Sequence, residues 1–216
     1  MSTAADTTGH WDDVYATRAV DEVSWFQSEP TTSLELIDAR DLDRRDGVVD
    51  VGGGASTLVD RLLDRGWSDV TVLDVSERAL EVARQRLGDR ASQVGWIVAD
   101  VRRWLPGRTF RLWHDRAVFH FLTSAGDRQA YVRTAADAVE VGGWLVVATF
   151  ALDGPESCSG LSVRRHDAQT LARALAPAFE AVSSRREVHV TPAGVQQPFT
   201  WLVARRTGAS PGGASH

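Results

Sequence analysis

The stretch Val48-Val49-Asp50-Val51-Gly52-Gly53-Gly54-Ala55-Ser56 decides the fold of this 216-residue chain. Branched apolar residues lead into an acidic residue and three glycines, and an amphipathic segment follows from Thr57 to Arg65. This order predicts a buried strand, a tight turn and the start of a helix. Glycines suit such a turn because they adopt positive φ and let the backbone approach a ligand. The N–H groups at the start of the helix would then favour an anionic group.

A second predicted strand gives the glycine turn a functional meaning. Asp69–Leu73 is followed by Asp74, about 20 residues after Gly52, which is the spacing at which a carboxylate binds ribose hydroxyls. The chain is therefore predicted to bind a cofactor that contains a nucleoside. A dinucleotide fingerprint has a third glycine where this chain has Thr57, and Asp50 would repel a pyrophosphate. A nicotinamide-dependent oxidoreductase stays open as an alternative, and so does an ordinary strand-to-helix turn.

The run Asp50-Val51-Gly52-Gly53-Gly54 resembles the first motif of class I S-adenosylmethionine-dependent methyltransferases. The resemblance implies S-adenosyl-L-methionine as cofactor, S-adenosyl-L-homocysteine as product, and Asp50 with the three glycines as cofactor-binding residues. Strands alternate with helices along the chain, and two extended runs, Phe179–Val190 and Pro198–Arg205, come last. We therefore expect an α/β, doubly wound, Rossmann-like sheet of seven mostly parallel strands that ends in an antiparallel hairpin.

The same resemblance supplies further cofactor contacts. Trp11-Asp12-x-x-Tyr15 followed by Trp25 resembles the N-terminal cap of a group that includes the elongation-factor lysine methyltransferases, which implies that these three aromatic side chains contact the cofactor. They could instead simply cover one face of the sheet. Further positions complete the expected cofactor site: Asp74 and Val75 after the second strand, Asp100 (adenine amino group) and Val101 after the third, and Asp115 and Arg116 after the fourth.

Candidate catalytic and substrate-binding residues lie in the second half of the chain. His120 is the first candidate for a base or a substrate-positioning group, and His114 is the second, because histidine exchanges protons near neutral pH. Either could instead be an ordinary core histidine. Arg165 and His166 follow a long polar loop and would suit a polar or anionic substrate, although a solvated charge run is an equally good interpretation.

Composition narrows the functional class. The net charge is −5 and the pI is about 5.7, which argues against a nucleic-acid-binding protein. The chain contains no lysine, so lysine Schiff-base chemistry is excluded. The single cysteine, Cys158, and the absence of a Cys/His cluster predict neither an internal disulfide nor a metal site, and a cytoplasmic location fits. No run is apolar enough to predict a membrane segment or a secretory signal.

These observations predict an enzyme with one main domain. Residues 1–9 are expected to be flexible, residues 10–206 to form a methyltransferase domain with a helical cap over 10–45, and residues 207–216 to form a disordered tail. The expected activity is direct methyl transfer from S-adenosylmethionine to a small molecule. The alternatives are methylation of a protein lysine, the oxidoreductase, and a non-catalytic cofactor-binding protein.

Overall fold

The computed structural model describes residues 4–17 and 19–211. Its helices are α1 (Ala4–Thr17), α2 (Thr31–Asp38), α3 (Leu58–Asp64), α4 (Glu77–Leu87), α5 (Ala125–Ala138) and α6 (Ala168–Leu175). Its strands are β1 (Val48–Val51), β2 (Val70–Asp74), β3 (Val94–Val98), β4 (Phe110–Arg116), β5 (Val139–Phe150), β6 (Ser157–Cys158), β7 (Leu161–Ser162), β8 (Phe179–Val190) and β9 (Gln196–Arg206).

A seven-stranded sheet forms the centre of the molecule, in the order β3-β2-β1-β4-β5-β9-β8. The first five strands in this order are parallel, and β9 pairs antiparallel with both β5 and β8. The predicted α/β fold with a C-terminal antiparallel hairpin is thereby confirmed. The strand order reverses direction between β1 and β4, and ligands in open α/β sheets bind beyond the carboxyl ends of the strands at such a point.

Helices cover both faces of the sheet, as the near-continuous apolar strands require. One core lies between the sheet and α5 and α6, where Trp113 and Tyr131 are fully buried. The other lies between the sheet and α2, α3 and α4, and it includes Leu34, Leu62 and Trp201. Because β1 and β4 contact both cores, side chains at their carboxyl ends alternate between the two sides of the sheet.

The fifth strand differs from the prediction. The sequence predicts a helix up to Glu140, a glycine turn, and a strand from Trp144 to Phe150, whereas α5 ends at Ala138 and β5 already begins at Val139. Gly142 has a φ of +79°, and the pairing with β4 shifts register in this part of the strand. The two glycines therefore form an irregularity within the strand and do not separate it from the helix.

The two ends of the chain bear on the predicted domain limits. Residues 4–9, part of the segment expected to be flexible, form the first turns of α1, and residues 1–3 lie outside the described residues. At the other end, the Thr207 backbone N–H donates to the Ala178 carbonyl, and residues 212–216 lie outside the described range. Within residues 4–17 and 19–211, no helix is long and apolar enough to cross a bilayer.

Candidate functional site

The glycine turn after β1 follows the backbone path that its sequence predicts. The Gly52 N–H donates to the Leu73 carbonyl at 2.7 Å, which ties the turn to β2. Gly52 and Gly54 have φ angles of +67° and +42°, which side-chain-bearing residues rarely adopt. A Cβ at Gly53 would lie 2.5 Å from an Asp50 carboxylate oxygen. The turn therefore requires glycine at three successive positions and forms a cradle without side chains.

We expect Gly53→Ala to weaken S-adenosylhomocysteine binding at least about tenfold, because the added methyl group must displace either the Asp50 carboxylate or Val72, whose Cγ1 would lie 2.7 Å from the new Cβ. Isothermal titration calorimetry measures the change. The matched control is Gly107→Ala, since no atom lies within 4 Å of the position of a Cβ at Gly107. Equal affinities in both variants would show that the cofactor does not depend on the shape of this turn.

Asp74 ends β2 beside the glycine turn. One of its oxygens accepts the Ser76 N–H at 2.8 Å, and the other lies 2.9 Å from the position of a Cβ at Gly54. Burial raises the pKa of Asp74 to about 7, and the nearby Asp50 adds to that rise against the hydrogen bond from Ser76. The carboxylate therefore faces the turn where a ribose would have to lie, and it is easily protonated near neutral pH.

The three aromatic residues of the predicted cap meet over this turn. The ring of Trp25 lies 5.6 Å from that of Trp11 and 6.3 Å from that of Tyr15. The Tyr15 hydroxyl lies 3.2 Å from the position of a Cβ at Gly54, and burial raises the pKa of this phenol. The Ser76 hydroxyl donates to Asp12 of α1 at 2.6 Å, which holds the cap on the helix that follows Asp74.

His114 is held inside a buried chain of polar groups. Its Nδ1 lies 2.7 Å from Oδ1 of Asp50, its neighbour across β1 and β4, and its Nε2 lies 3.0 Å from the hydroxyl of Ser33 in α2. The carboxylate can only accept, so Nδ1 carries the proton and Nε2 accepts the hydroxyl of Ser33. The lone pair that a base needs is thus already used, and the geometry assigns His114 to positioning Asp50.

His120 lies in an aromatic environment beside the end of β4. Its ring is fully buried and packs against Phe121 and Phe150, with centroid distances of 4.4 and 4.7 Å. Burial lowers its pKa to about 3, and the charge of Arg116 adds to that effect. A buried imidazole with a lowered pKa is a weak base, and the catalytic role of His120 stays a prediction.

Asp115 is bonded within the core, and its predicted contact with the cofactor stays a prediction. Its carboxylate is fully buried and accepts the Val118 N–H at 2.8 Å, the Phe119 N–H at 3.1 Å and the Tyr131 hydroxyl at 2.6 Å. These bonds fix the turn after β4 to α5. Asp115 points to the core under α5 because successive residues of a strand alternate in direction, which places its neighbour Arg116 on the cap side.

Asp100 is engaged by a neighbouring cation. The Arg102 guanidinium donates to both of its oxygens at 2.6 to 3.0 Å, and Arg102 also reaches Asp127. Burial raises the pKa of Asp100, but the hydrogen bonds from Arg102 outweigh burial and lower it overall. Val101 is buried in the core under α5, so only its backbone is available to a ligand. Their predicted contacts with adenine stay predictions.

The predicted substrate residues Arg165 and His166 do not form a substrate site together. Arg165 donates to Glu156 at 2.8 Å and to the Gly154 carbonyl at 3.1 Å, which closes the β6–β7 loop onto itself. His166 is 2% exposed and lies against Phe119, with ring centroids 5.6 Å apart. Burial accounts for the lowered pKa of His166, about 4. Its side chain therefore lies in the core, and its predicted contact with a substrate stays a prediction.

A small cavity of about 50 Å³ lies between the cap and the carboxyl ends of β1 and β4. Its wall combines the glycine turn, the aromatic cap and the polar end of β4, and includes Tyr15, Trp25, Ser33, Asp50, Gly53 and Arg116. The sequence analysis did not identify Ser33 as a residue of the site. The only feature that could have indicated it is a hydroxyl in the first turn of a predicted helix. Among the described residues, no group of three or more His, Cys, Asp or Glu side chains could hold a metal ion.

Part of the chain matches a known family of domains. Residues 48–143 match the methyltransferase domain family. The match covers somewhat less than half of the chain, from β1 into β5, and therefore contains the glycine turn, Asp74, Asp100 and Arg116. The chain is an enzyme, and its cofactor is S-adenosyl-L-methionine. No curated protein sequence matches the chain.

Solved structures share the fold of the chain at low sequence identity. A protein studied for the conversion of a disulfide bond into a thioacetal group in echinomycin biosynthesis is 20% identical, with a TM-score of 0.75 and coverage of 94% of this chain and 93% of that chain. An S-adenosylmethionine-dependent methyltransferase from Anabaena variabilis is 15% identical, with a TM-score of 0.74 and coverage of 95% and 96%.

A third similar structure has ligands bound. It is the 1,6-didemethyltoxoflavin-N1-methyltransferase of Burkholderia thailandensis, in complex with 1,6-didemethyltoxoflavin and S-adenosylhomocysteine. It is 20% identical, with a TM-score of 0.68 and coverage of 94% of this chain and 85% of that chain. At these identities the three likenesses establish the fold.

Proposed function

We propose that the chain methylates a small molecule by direct transfer from S-adenosylmethionine. The observation that carries this proposal is the small cavity that has the glycine turn on one side and the aromatic cap on the other. A cavity of this kind suits a small acceptor, whereas a peptide needs an open groove. Two of the similar structures concern small molecules, namely echinomycin and 1,6-didemethyltoxoflavin. Support for the alternative, a protein lysine acceptor, comes only from the N-terminal aromatic motif.

The residues of the site fit the cofactor as follows. The glycine cradle accepts close approach of the ligand, and Asp74 binds the two ribose hydroxyls. Asp100 and the Val101 backbone contact the adenine. For this contact, the Asp100 carboxylate exchanges its hydrogen bonds from Arg102 for one from the adenine amino group. Trp11, Tyr15 and Trp25 lie over the methionine portion, where a cation favours aromatic faces. Asp50, held by His114, which in turn contacts Ser33, faces the amino group of the cofactor.

The chain contributes orientation more than proton transfer. When bound, S-adenosylmethionine supplies a methyl group on a sulfonium that leaves as a neutral thioether. The cap excludes water and aligns the acceptor with that methyl group, which is the main source of rate enhancement in such a displacement. Both histidines predicted as bases are occupied or enclosed, so the acceptor reaches the site with its attacking lone pair already available.

Two experiments test the proposal. Calorimetric titration with S-adenosylhomocysteine, with NAD in a parallel titration, is expected to show binding of the former only. Binding of NAD alone would favour the oxidoreductase. Incubation with labelled S-adenosylmethionine and a cell extract divided by ultrafiltration is expected to label the small-molecule fraction. Label confined to the protein fraction would favour the lysine methyltransferase.

A further inference from the structure

Arg116 has a buried guanidinium with unused hydrogen-bond donors. Nη1 donates to the Trp25 carbonyl at 3.0 Å, while Nε and Nη2 are shielded from solvent and have no partner among the described residues. The guanidinium lies over the ring of Phe199, 4.7 Å from its centroid. Burial lowers the pKa of Arg116 to about 10, yet the group still carries its charge at neutral pH.

Nearby side chains do not neutralise this charge. Among the carboxylates, Glu187 has the largest electrostatic effect on Arg116. Its two oxygens, however, accept hydrogen bonds from Trp201 at 2.7 Å and from Gln27 at 3.4 Å. No ion pair joins Arg116 to an acidic side chain in the part of the chain that the structure describes. An unpaired buried cation is costly, so an anionic ligand would stabilise it strongly.

The position of Arg116 in the sheet indicates which ligand supplies the anion. Asp74 and Asp100, the residues expected to bind ribose and adenine, lie at the ends of β2 and β3, on one side of β1. Arg116 ends β4 on the other side of β1, and its ring contact, Phe199, belongs to β9. The proposed cofactor site lies at the glycine turn and the cap, where the cavity opens at the ends of β1 and β4, so the space toward β9 is available to the acceptor.

We propose that Arg116 binds a carboxylate of the methyl acceptor, which makes the acceptor a small carboxylic acid with a flat apolar body. The free Nε and Nη2 form the adjacent pair of donors that a carboxylate accepts in a two-pronged bond. Trp25, Phe26 and Val23 line the same cavity and provide apolar walls for the rest of the molecule. This inference rests on the proposed function, because it requires a methyl acceptor.

Benzoate and benzamide test the proposal, because they have the same shape and differ in charge. We expect calorimetry to show that the protein saturated with S-adenosylhomocysteine binds benzoate at least tenfold more tightly than benzamide. Arg116→Gln should remove that preference while S-adenosylhomocysteine affinity stays within about threefold. Arg116→Lys retains the charge without the fork of donors, so its preference should be intermediate. The control is Arg185→Gln, an exposed arginine paired with Glu35, which should behave as the parent.

The other outcomes overturn the proposal in different ways. Equal benzoate affinity in the parent and in Arg116→Gln would show that Arg116 does not bind the anion, and so would failure of the parent to bind benzoate. A tenfold loss of S-adenosylhomocysteine affinity with benzoate binding unchanged would assign Arg116 to the carboxylate of the cofactor. If Arg116→Gln does not fold, Arg116→Lys gives the comparison. If the parent binds no S-adenosylhomocysteine, the proposed function fails, and benzoate titration without it still tests Arg116.

Discussion

Replacing Asp74 with asparagine is expected to weaken S-adenosylhomocysteine binding about 10- to 100-fold. The ribose hydroxyls would lose a charged acceptor, and the loss of one hydrogen bond to a charged group, about 1.5–3 kcal/mol, corresponds to this range. Asparagine keeps one oxygen for the Ser76 N–H, which donates to Asp74 at 2.8 Å in the parent, so the start of α4 should persist. Calorimetry at pH 8 measures the loss. Unchanged affinity in a folded variant would contradict the assignment of Asp74 to the ribose.

The same residue predicts a pH dependence of cofactor binding. The pKa of Asp74 is raised to about 7, and ribose hydroxyls donate to the ionised form. Affinity should therefore increase between pH 6 and pH 8 in the parent and stay level in Asp74→Asn. The raised pKa also means that ionisation of Asp74 costs folding stability as the pH rises from about 4 to 7. Without ligand, Asp74→Asn should therefore melt at a higher temperature than the parent at pH 8.

The matched control is Asp69→Asn. Asp69 directly precedes the first residue of β2, whereas Asp74 is its last residue. Asp69 is an exposed carboxylate that pairs with Arg108, far from the carboxyl ends of the strands. Exposed ion pairs contribute little to stability. This variant should keep both the parent affinity and its dependence on pH, and a loss equal to that of Asp74→Asn would point to a general effect of charge.

Replacing Asp115 with alanine is expected to destabilise the fold by about 3–5 kcal/mol. The change leaves two backbone N–H groups, Val118 and Phe119, and the Tyr131 hydroxyl without their acceptor inside the core. For a chain of this length the melting temperature should fall by about 10 °C. Differential scanning calorimetry of the protein without ligand measures this change.

Two further variants separate a structural role from a cofactor-binding role for Asp115. Tyr131→Phe removes one of the three bonds and should lower the melting temperature less than Asp115→Ala does. Asp137→Ala, on the exposed side of α5, should leave it unchanged. If Asp115→Ala melts as the parent does but loses S-adenosylhomocysteine binding, the sequence-based prediction that Asp115 binds the cofactor would be correct.

The cofactor half of the site could be predicted because its determinants are local. The glycine turn, Asp74 and the cap aromatics are each recognisable from neighbours within a few residues or from a fixed spacing along the chain. The structure brings Trp11, Tyr15 and Trp25 together above that turn. Their role in binding the cofactor stays a prediction that the Gly53 and Asp74 variants address.

The roles of the polar residues at the end of β4 could not be predicted in the same way. His114, His120 and Asp115 are all polar residues near the end of one strand, but their functions depend on partners far away in the sequence. Ser33 comes from α2 and engages His114, Tyr131 comes from α5 and engages Asp115, and Phe150 from β5 covers His120. None of these pairings leaves a periodic pattern or a spacing in the sequence.

The sequence by itself determined the alternation of strands and helices, the glycine turn and the acidic residue that follows the second strand. Those features depend on backbone conformation and on apolar periodicity, both of which are properties of short segments. Only the tertiary structure decided which polar side chains are neutralised and which are free. That depends on which face of the sheet each residue occupies and on what packs against it. For this reason Arg116, indistinguishable in sequence from other arginines, emerges as the unpaired cation of the cavity among the described residues.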